Sequence, residues 1–431
     1  MKILVIDGGG RGHALAKKYL ESKKTTEVLA IPGNDLMTLD KIRIFPDIKT
    51  TDIPKILQIC KKEKVDLVDV AQDDAIAAGL VDTLRKSHIK VFGPKKETGK
   101  IEWDKSWSRN FMRQLKLPAP SYNIFNLQQS GIDYINSQPN NKWYVKASGL
   151  AAGKGAIFAK NKKDAVRAIK EMSKFGNAGS KYLIEQCLEG EEFSAFALVN
   201  AEKFQIVGYA QDHKKALDGD IGPNTGGMGC SSPPKIMSKN IEDQIYTIFK
   251  KTTTGLVKLK RPYTGILYLG GIIDGNGKVW IIEFNARWGD PEAQVILPAI
   301  KNDYYNVVTQ TLSKAIPIIR KDKKYRLVVT AASKGYPGDY SKVDGRVIHG
   351  FENLIKKAKV FGAGIKKSGN NWQVAGGRLF YVLGEGTNVA QARKIAYNAL
   401  SHVSVRGNNL HFRKDIGYRD MSRLHNARSK T

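Results

Sequence analysis

The chain has 431 residues, 42% hydrophobic and 26% charged, which suits two to four folded domains and excludes a disordered or fibrous chain. Lys and Arg number 70 against 41 Asp and Glu, a formal charge of +29, and the odd, widely spaced Cys60, Cys187 and Cys230 exclude a CxxC-type zinc site and fit reduced thiols in a cytoplasm. No apolar run approaches the roughly 18 residues of a membrane span, and Met1 leads directly into a strand, so neither a span nor a secretory signal is expected.

In chain order, KILVID, EVLAI, VDLVDVA and IKVFG are short apolar runs rich in β-branched residues, separated by the helical patterns HALAKKYLES, IPKILQICKKEK and AIAAGLVDTLRK. Such βαβαβαβ alternation predicts a mostly parallel sheet with helices on both faces. The turn after the first strand, GGGRGHA (Gly8–Ala14), would present free N–H groups and a helix dipole to an anion. A nicotinamide fingerprint would need a third glycine where His13 stands and an acidic residue closing the second strand, where Pro32-Gly33-Asn34 stands. The turn therefore reads as a phosphate loop and not a dinucleotide one, unless it is only a tight turn with no ligand. A helical stretch, IEWDKSWSRNFMRQL, then runs to the turn cluster LPAP.

From Tyr122 to about Gly190 the strands KWYVKA, AIFAK and KYLIEQ and the helix DAVRAIKEM predict a compact α+β unit. Its SGLAAGKG (Ser148–Gly155) is no Walker A loop, having three residues between its glycines and Gly155 after the lysine. As a hairpin tip carrying Lys154, with Lys146 on the preceding strand, it suits closure over nucleotide phosphates or serves only as a turn. In KYLIEQCLEGEE (Lys181–Glu192) the strand-end backbone could read an adenine edge and Glu192 could hold ribose hydroxyls, unless that glutamate is merely solvated.

A third segment holds EEFSAFALV, the glycine-rich run DHKKALDGDIGPNTGGMG (Asp212–Gly229), a helix near Ile241–Lys258, and the strands GILYLGGII and VWIIEFNA. Long irregular loops of this kind are usually functional. Here Asn224, Thr225, Gly226, Gly227 and Met228 offer backbone N–H groups, and Asp212 and Lys214 supply charge. On the strand of IIEFNARWGDPE, Glu283 and Asn285 point to one face. Burying both costs several kcal/mol unless something satisfies them, and a hard cation would. From about Lys324 a last unit shows the strands KVFGAGI and QVAGGRLFYVLG and the helix NVAQARKIAYNALSHV.

Taken together and in this order, GLAAGKG, DHKKALDGDIGPNTGGMG, EFNARWGDPE, SKGYPGDY and the closing HFRKDIGYR resemble the phosphoribosylamine–glycine ligase (glycinamide ribonucleotide synthetase) family of ATP-grasp enzymes, over essentially the whole chain. The resemblance implies an α/β and α+β multidomain fold: an N-terminal parallel α/β domain (1–118), an ATP-grasp lid (119–190), a central ATP-grasp subdomain (191–325) and a C-terminal α+β domain (326–431). It implies ligation of glycine to 5-phosphoribosylamine through a glycyl phosphate, consuming ATP and giving glycinamide ribonucleotide, ADP and phosphate in purine biosynthesis. It also implies Mg²⁺ or Mn²⁺ on Glu283 and Asn285, and Lys105, Lys146, Gly153, Lys154 and Gly155 on ATP phosphates. Glu185, Cys187 and Glu192 would surround the nucleoside, while Arg287, Asp212, Lys214 and Asp290 would handle the reacting groups. Gly9, Gly10, Arg11, Asn34 and the Asn224–Met228 loop would enclose phosphoribosylamine.

Four places depart from the family pattern. Gly12 replaces the Glu of G-G-R-E-H-A, and Val70-Ala71-Gln72-Asp73 replaces V-G-P-E. Ser148 replaces the Asp of A-D-G-L-A-A-G-K-G, and Gly362 replaces the His of F-H-A-G. They raise, as an alternative, an ATP-grasp paralogue joining a different amine or acid. The charge of +29 raises nucleic-acid binding, but the lysines are scattered (KKYLESKK, QICKKEK, RKDKK) and read as a solvated surface that attracts anionic substrates. The expectation is thus a cytoplasmic, monofunctional enzyme of small-molecule partners, monomeric or weakly dimeric.

Overall fold

Strands β1 (Lys2–Ile6), β2 (Glu27–Ile31), β3 (Arg43–Ile44), β4 (Leu67–Val70) and β5 (Val91–Phe92) pair in parallel in the order β3-β2-β1-β4-β5. Their apolar runs are buried on both faces, as a parallel sheet flanked by helices requires. The two-residue β3 was not anticipated, being too short to show a pattern. A computed structural model describes residues 1–151 and 153–428; among these, no helix is long and apolar enough to cross a membrane.

Two expected helices are each broken in two. AIAAGLVDTLRK divides at Gly79, whose φ of +92° ends Asp73–Ala78 before Leu80–Lys86 begins. IEWDKSWSRNFMRQL divides at Asp104, whose carboxylate accepts the Trp107 N–H and caps Lys105–Gln114.

The second unit is a four-stranded sheet ordered Tyr122–Phe125, Tyr182–Gln186, Trp143–Ala147, Ala156–Ala159. The helices Gln128–Ser137 and Lys162–Glu171 accompany it, and Ile135, Trp143, Ile169 and Tyr182 share a separate core. The remainder is organised by a nine-stranded sheet. Its order is Val279–Asn285, Thr264–Ile273, Glu191–Asn200, Lys203–Asp212, Gly229–Ser232, Tyr325–Ser333, Arg378–Gly386, Lys359–Gly362, with Leu410–His411 also on Tyr325–Ser333. Because Gly229 pairs with Val329 and Ser232 with Arg326, the sheet runs unbroken from the central unit into the C-terminal one. The expected strand KVFGAGI stops at Gly362 and resumes as Ile365–Ser368, which pairs in a separate hairpin.

Two hydrogen bonds to Gly362 and a close approach at Gly10 help dock the N-terminal unit on this sheet. Helix α1 (Gly10–Leu20) carries His13, whose Nδ1 accepts the Gly362 N–H at 2.9 Å while Nε2 meets Asp40 at 2.7 Å. Asn34 donates to the carbonyls of Gly8 (3.0 Å) and Gly362 (2.9 Å). At Gly10 the backbone lies so close to the Tyr381 ring and the Gln294 amide that a Cβ would overlap both. Gly10→Ala is therefore expected to lower stability by about 1–3 kcal/mol, the usual cost of overpacking. Urea unfolding of the two proteins would measure it, and an unchanged midpoint would refute this close docking.

Candidate functional site

Glu283 and Asn285 end the strand Val279–Asn285 on one face, with the Asn285 amide 3.4 Å from the Glu283 carboxylate. Lys214 lies 3.8 Å from Glu283 and 3.9 Å from Glu192, and Lys105 and Lys146 also act on Glu283. Burial alone would raise the Glu283 pKa, but these three ammonium groups hold it at about 2. Glu192, Ser194, Asp212, Lys214 and Gly270 line the recess beside it.

Among the described residues, no group of three or more His, Cys, Asp or Glu could hold a metal by itself. An anionic carboxylate and an amide oxygen are nonetheless a suitable partial shell for a hard cation that takes its remaining ligands from water and substrate phosphates. The donor set fits such an ion.

On the lid side, Lys146 is buried and lies 2.7 Å from Glu185, which Arg109 grips in parallel at 2.6 and 2.9 Å. Despite complete burial, Arg109 and Lys146 hold Glu185 at about 2. Glu185, expected beside the nucleoside, thus spends its oxygens on internal cations and orients Lys146. Cys187 is half-buried at the end of the same strand, where burial raises its thiol pKa. Lys105 is half-buried, its ammonium pKa lowered by burial, and its N–H donates to the Ser148 carbonyl at 2.8 Å. Gly153 (φ +74°) and Lys154 form the exposed hairpin tip, while buried Gly155 accepts the Ala147 N–H at 2.8 Å. Ser148, where the family pattern has an acid, lies with its hydroxyl 3.1 Å from the Asp104 carboxylate, so the charge arrives from a neighbouring helix.

Tyr144 and Phe158 face each other on paired strands, ring centroids 5.5 Å apart, with the Lys146 ammonium over Tyr144. The sequence reading passed over this pair, although strand alternation places Tyr144 on the face of Lys146.

The second half of the site is a chain of ion pairs between units. Arg287 is 2.7 Å from Glu102, whose other oxygen accepts the Ala286 N–H at 2.7 Å; burial pushes Glu102 up to about 7 against the pull of Arg287. Asp290 accepts from Gln294 (2.6 Å), Arg378 (3.0 Å) and Tyr381 (3.2 Å), and Arg378 also donates to the carbonyls of Gly226 (2.6 Å) and Asp290 (2.7 Å). Arg287 Nε and Gln294 Oε1 are buried here without a hydrogen-bond partner among the described residues. Asp212 is buried, and burial and the nearby Glu292 raise its pKa well above the ordinary carboxylate value.

The glycine-rich loop is held rather than free. Thr225 donates to the Lys214 carbonyl (2.8 Å) and accepts the Gly227 N–H (3.0 Å), while the Gly226 N–H donates to Tyr336 (3.0 Å). Asn224 pairs with Lys215 in a short hairpin, and the Met228 side chain is buried in the C-terminal core, leaving only its backbone near the site. The Gly8–Arg11 turn, expected to enclose a phosphate, is flanked instead by carboxylates: Asp7 accepts the Gly9 N–H at 2.5 Å, and Asp290 borders Gly9. Asn34 faces Gly8 and Gly362, its amide hydrogens already committed. Glu102, Arg109, Arg378 and Tyr381 were missed because each reaches the site through a contact more than 70 residues away in sequence.

His213 links this loop to the C-terminal segment, Nδ1 facing the Gly229 carbonyl (3.3 Å) and Nε2 accepting the Gly417 N–H (3.1 Å). Burial, reinforced by Arg419 and Arg413 against Asp220 and Asp415, depresses its pKa to about 3. The unfolded chain therefore takes up a proton below about pH 6.5 that the folded chain refuses, so this contribution to stability is intact above that pH and is lost on acidification toward pH 3. His213→Gln is expected to reduce the slope of stability against pH between 4 and 6 by up to about one proton, measurable by urea unfolding across that range. Parallel curves would contradict the burial of a neutral imidazole.

Three family models match consecutive stretches of the chain: "Phosphoribosylglycinamide synthetase, N domain" over residues 1–102, its "ATP-grasp (A) domain" over 103–293 and its "C domain" over 326–419. A phosphoribosylamine–glycine ligase of Streptococcus pneumoniae is 39% identical over 431 residues, covering 97% of this chain and 99% of its own. One from Halalkalibacterium halodurans is 38% identical over 421 residues, covering 97% and 96%. The crystal structure of the Thermotoga maritima phosphoribosylamine–glycine ligase superposes with a TM-score of 0.83 at 26% identity, covering 96% of this chain and all of the other.

Proposed function

The chain belongs to the phosphoribosylglycinamide synthetase family, and we propose that it uses ATP to join glycine to 5-phosphoribosylamine, giving glycinamide ribonucleotide, ADP and phosphate for purine biosynthesis. It is an ATP-grasp ligase acting on small molecules, and we place it in the cytoplasm, where its three free cysteines stay reduced.

The chemistry asks for positioning and charge compensation rather than a protein nucleophile. A carboxylate is a poor acyl donor, so phosphoryl transfer to glycine creates a mixed anhydride, and the amine then attacks its carbonyl and expels phosphate. Lys146, aimed by Glu185, together with Lys105 and Lys154, compensates the triphosphate charge. Tyr144 and Phe158 give the lid face an apolar surface for the base. Glu283 and Asn285 would hold the Mg²⁺ or Mn²⁺, which supplies charge stabilisation at the transferring phosphoryl group.

Among the described residues the buried Arg287 Nε–H has no partner, and the guanidinium suits a substrate carboxylate or phosphate. Asp212 and Glu292 repel each other in a buried recess, and the ammonium of glycine placed between them would relieve that repulsion. Asp290, fixed by Gln294, Arg378 and Tyr381, stands between this recess and the Gly8–Arg11 turn, where the amine substrate would approach.

The observation that carries the reading is Glu283, a carboxylate kept ionised by Lys214, Lys146 and Lys105 at the foot of the lid. Phosphate release should require ATP, divalent metal, glycine and phosphoribosylamine together, the amine being formed in situ from ribose 5-phosphate and ammonia. In Glu283→Ala the rate should fall on the order of 10²-fold or more, as for loss of a transition-state charge contact. ATP binding without turnover on this substrate pair would overturn the assignment of the substrates.

A further inference from the structure

One departure from the family pattern touches the Arg11 guanidinium and another lies against the carboxylate that pairs with it. Arg11 is buried, with Nε 2.5 Å from Asp7 Oδ2, Nη1 donating to the Trp288 carbonyl at 3.0 Å and Nη2 donating to Gln72 Oε1. Gln72 stands where the family pattern has proline, and Gly12, which lacks the family's glutamate, stands one residue beyond Arg11. Position 12 has no room for a side chain here: a Cβ would lie 2.6 Å from Asp7 Cβ, 2.8 Å from the Asp7 carbonyl oxygen and 2.9 Å from Asp7 Oδ1. Asp7, 1% exposed, occupies that space, and its Oδ1 also accepts the Gly9 N–H at 2.5 Å.

We propose that Asp7 is a positioning residue for the amine-substrate site, supplying from just beyond β1 the carboxylate that position 12 cannot carry. Through Arg11 it holds the Trp288 carbonyl, hence the turn that presents Arg287 and Asp290; through Gly9 it shapes the glycine turn on the other side of Asp290. A buried Arg11 deprived of its anion would be an uncompensated charge, which displaces a side chain or its surroundings. Gln72 completes the same clamp by accepting from the remaining Nη. In this chain Arg11 is thus spent on internal geometry and leaves the phosphate of the amine to other groups. The inference rests on the ligase reading.

The exchange has a reciprocal test. With residue 7 reduced to glycine, the side-chain part of the obstruction at residue 12 is removed and a glutamate there gains the vacated space, leaving the residue 7 carbonyl oxygen, 2.8 Å from the new Cβ, to be relieved by a small backbone shift. Asp7→Gly should raise the apparent KM for phosphoribosylamine about tenfold or more while the ATP Kd, measured by direct binding, stays within about twofold. Gly12→Glu alone, forced against Asp7, should unfold at lower urea or fail to fold. The double variant Asp7→Gly/Gly12→Glu should recover part of both losses, giving a favourable coupling in urea midpoint and in KM. An unchanged amine KM in Asp7→Gly, or a double variant no better than Asp7→Gly in either measurement, would overturn the proposal. A wild type that turns over no phosphoribosylamine would instead strike at the substrate assignment, leaving the urea coupling to judge the Asp7–Gly12 exchange on its own.

Discussion

Compensation of buried carboxylates is the constraint on which the arrangement of this molecule depends. Glu185, Glu102 and Asp7 are buried and Asp290 is half-buried, and each is met by a cation: Arg109 and Lys146 for Glu185, Arg287 for Glu102, Arg11 for Asp7 and Arg378 for Asp290. Three of these four sets join different structural units: helix Lys105–Gln114 to the lid, helix Lys96–Trp103 to the central strand, and the C-terminal strand to the turn after Asn285. Removing one partner of a buried pair costs about 3–5 kcal/mol, more than most single apolar contacts contribute. The units must therefore meet in one relative placement, and that placement is the one that assembles the site.

The same electrostatics divides the cleft into two chemical zones. Around Glu283 the ammonium groups of Lys214, Lys146 and Lys105 converge, with Glu185 and Glu192 facing two of them, Lys146 and Lys214, and they keep the Glu283 carboxylate ionised. A short distance along the sheet, Asp212 and Glu292 crowd together and favour a cation or a proton. A polyphosphate and an ammonium group require opposite fields, and the strand ending at Asp212, the strand ending at Asn285 and the turn leading to Glu292 bring both fields close together.

The unbroken nine-stranded sheet explains why the C-terminal unit belongs to the site. Pairing of Gly229–Ser232 with Tyr325–Ser333 brings Arg378 and Tyr381, on the next strand, beside Asp290 and the glycine-rich loop. A rigid sheet and a loop pinned at Thr225, Gly226 and Met228 leave little for substrate binding to order, which favours a preformed pocket. The hairpin tip at Gly153–Lys154, exposed and lightly held, is the part suited to move over a nucleotide.

Local pattern alone determined much here. Alternating apolar runs announced the parallel sheet, period-two geometry put Glu283 with Asn285, and the order of glycine-rich motifs identified the ligase family, because each is a property of residues close together in sequence. The chain could not announce that Glu185 would pair with Arg109, that Arg378 would clasp Asp290, or that Asp7 would fill the space at Gly12. The first two pairings join residues 76 and 88 positions apart. The third depends on how a strand and the helix after it pack. Charge compensation across such distances is decided only when the units close on one another, since a carboxylate's partner is whichever cation the tertiary structure leaves beside it once water has been expelled.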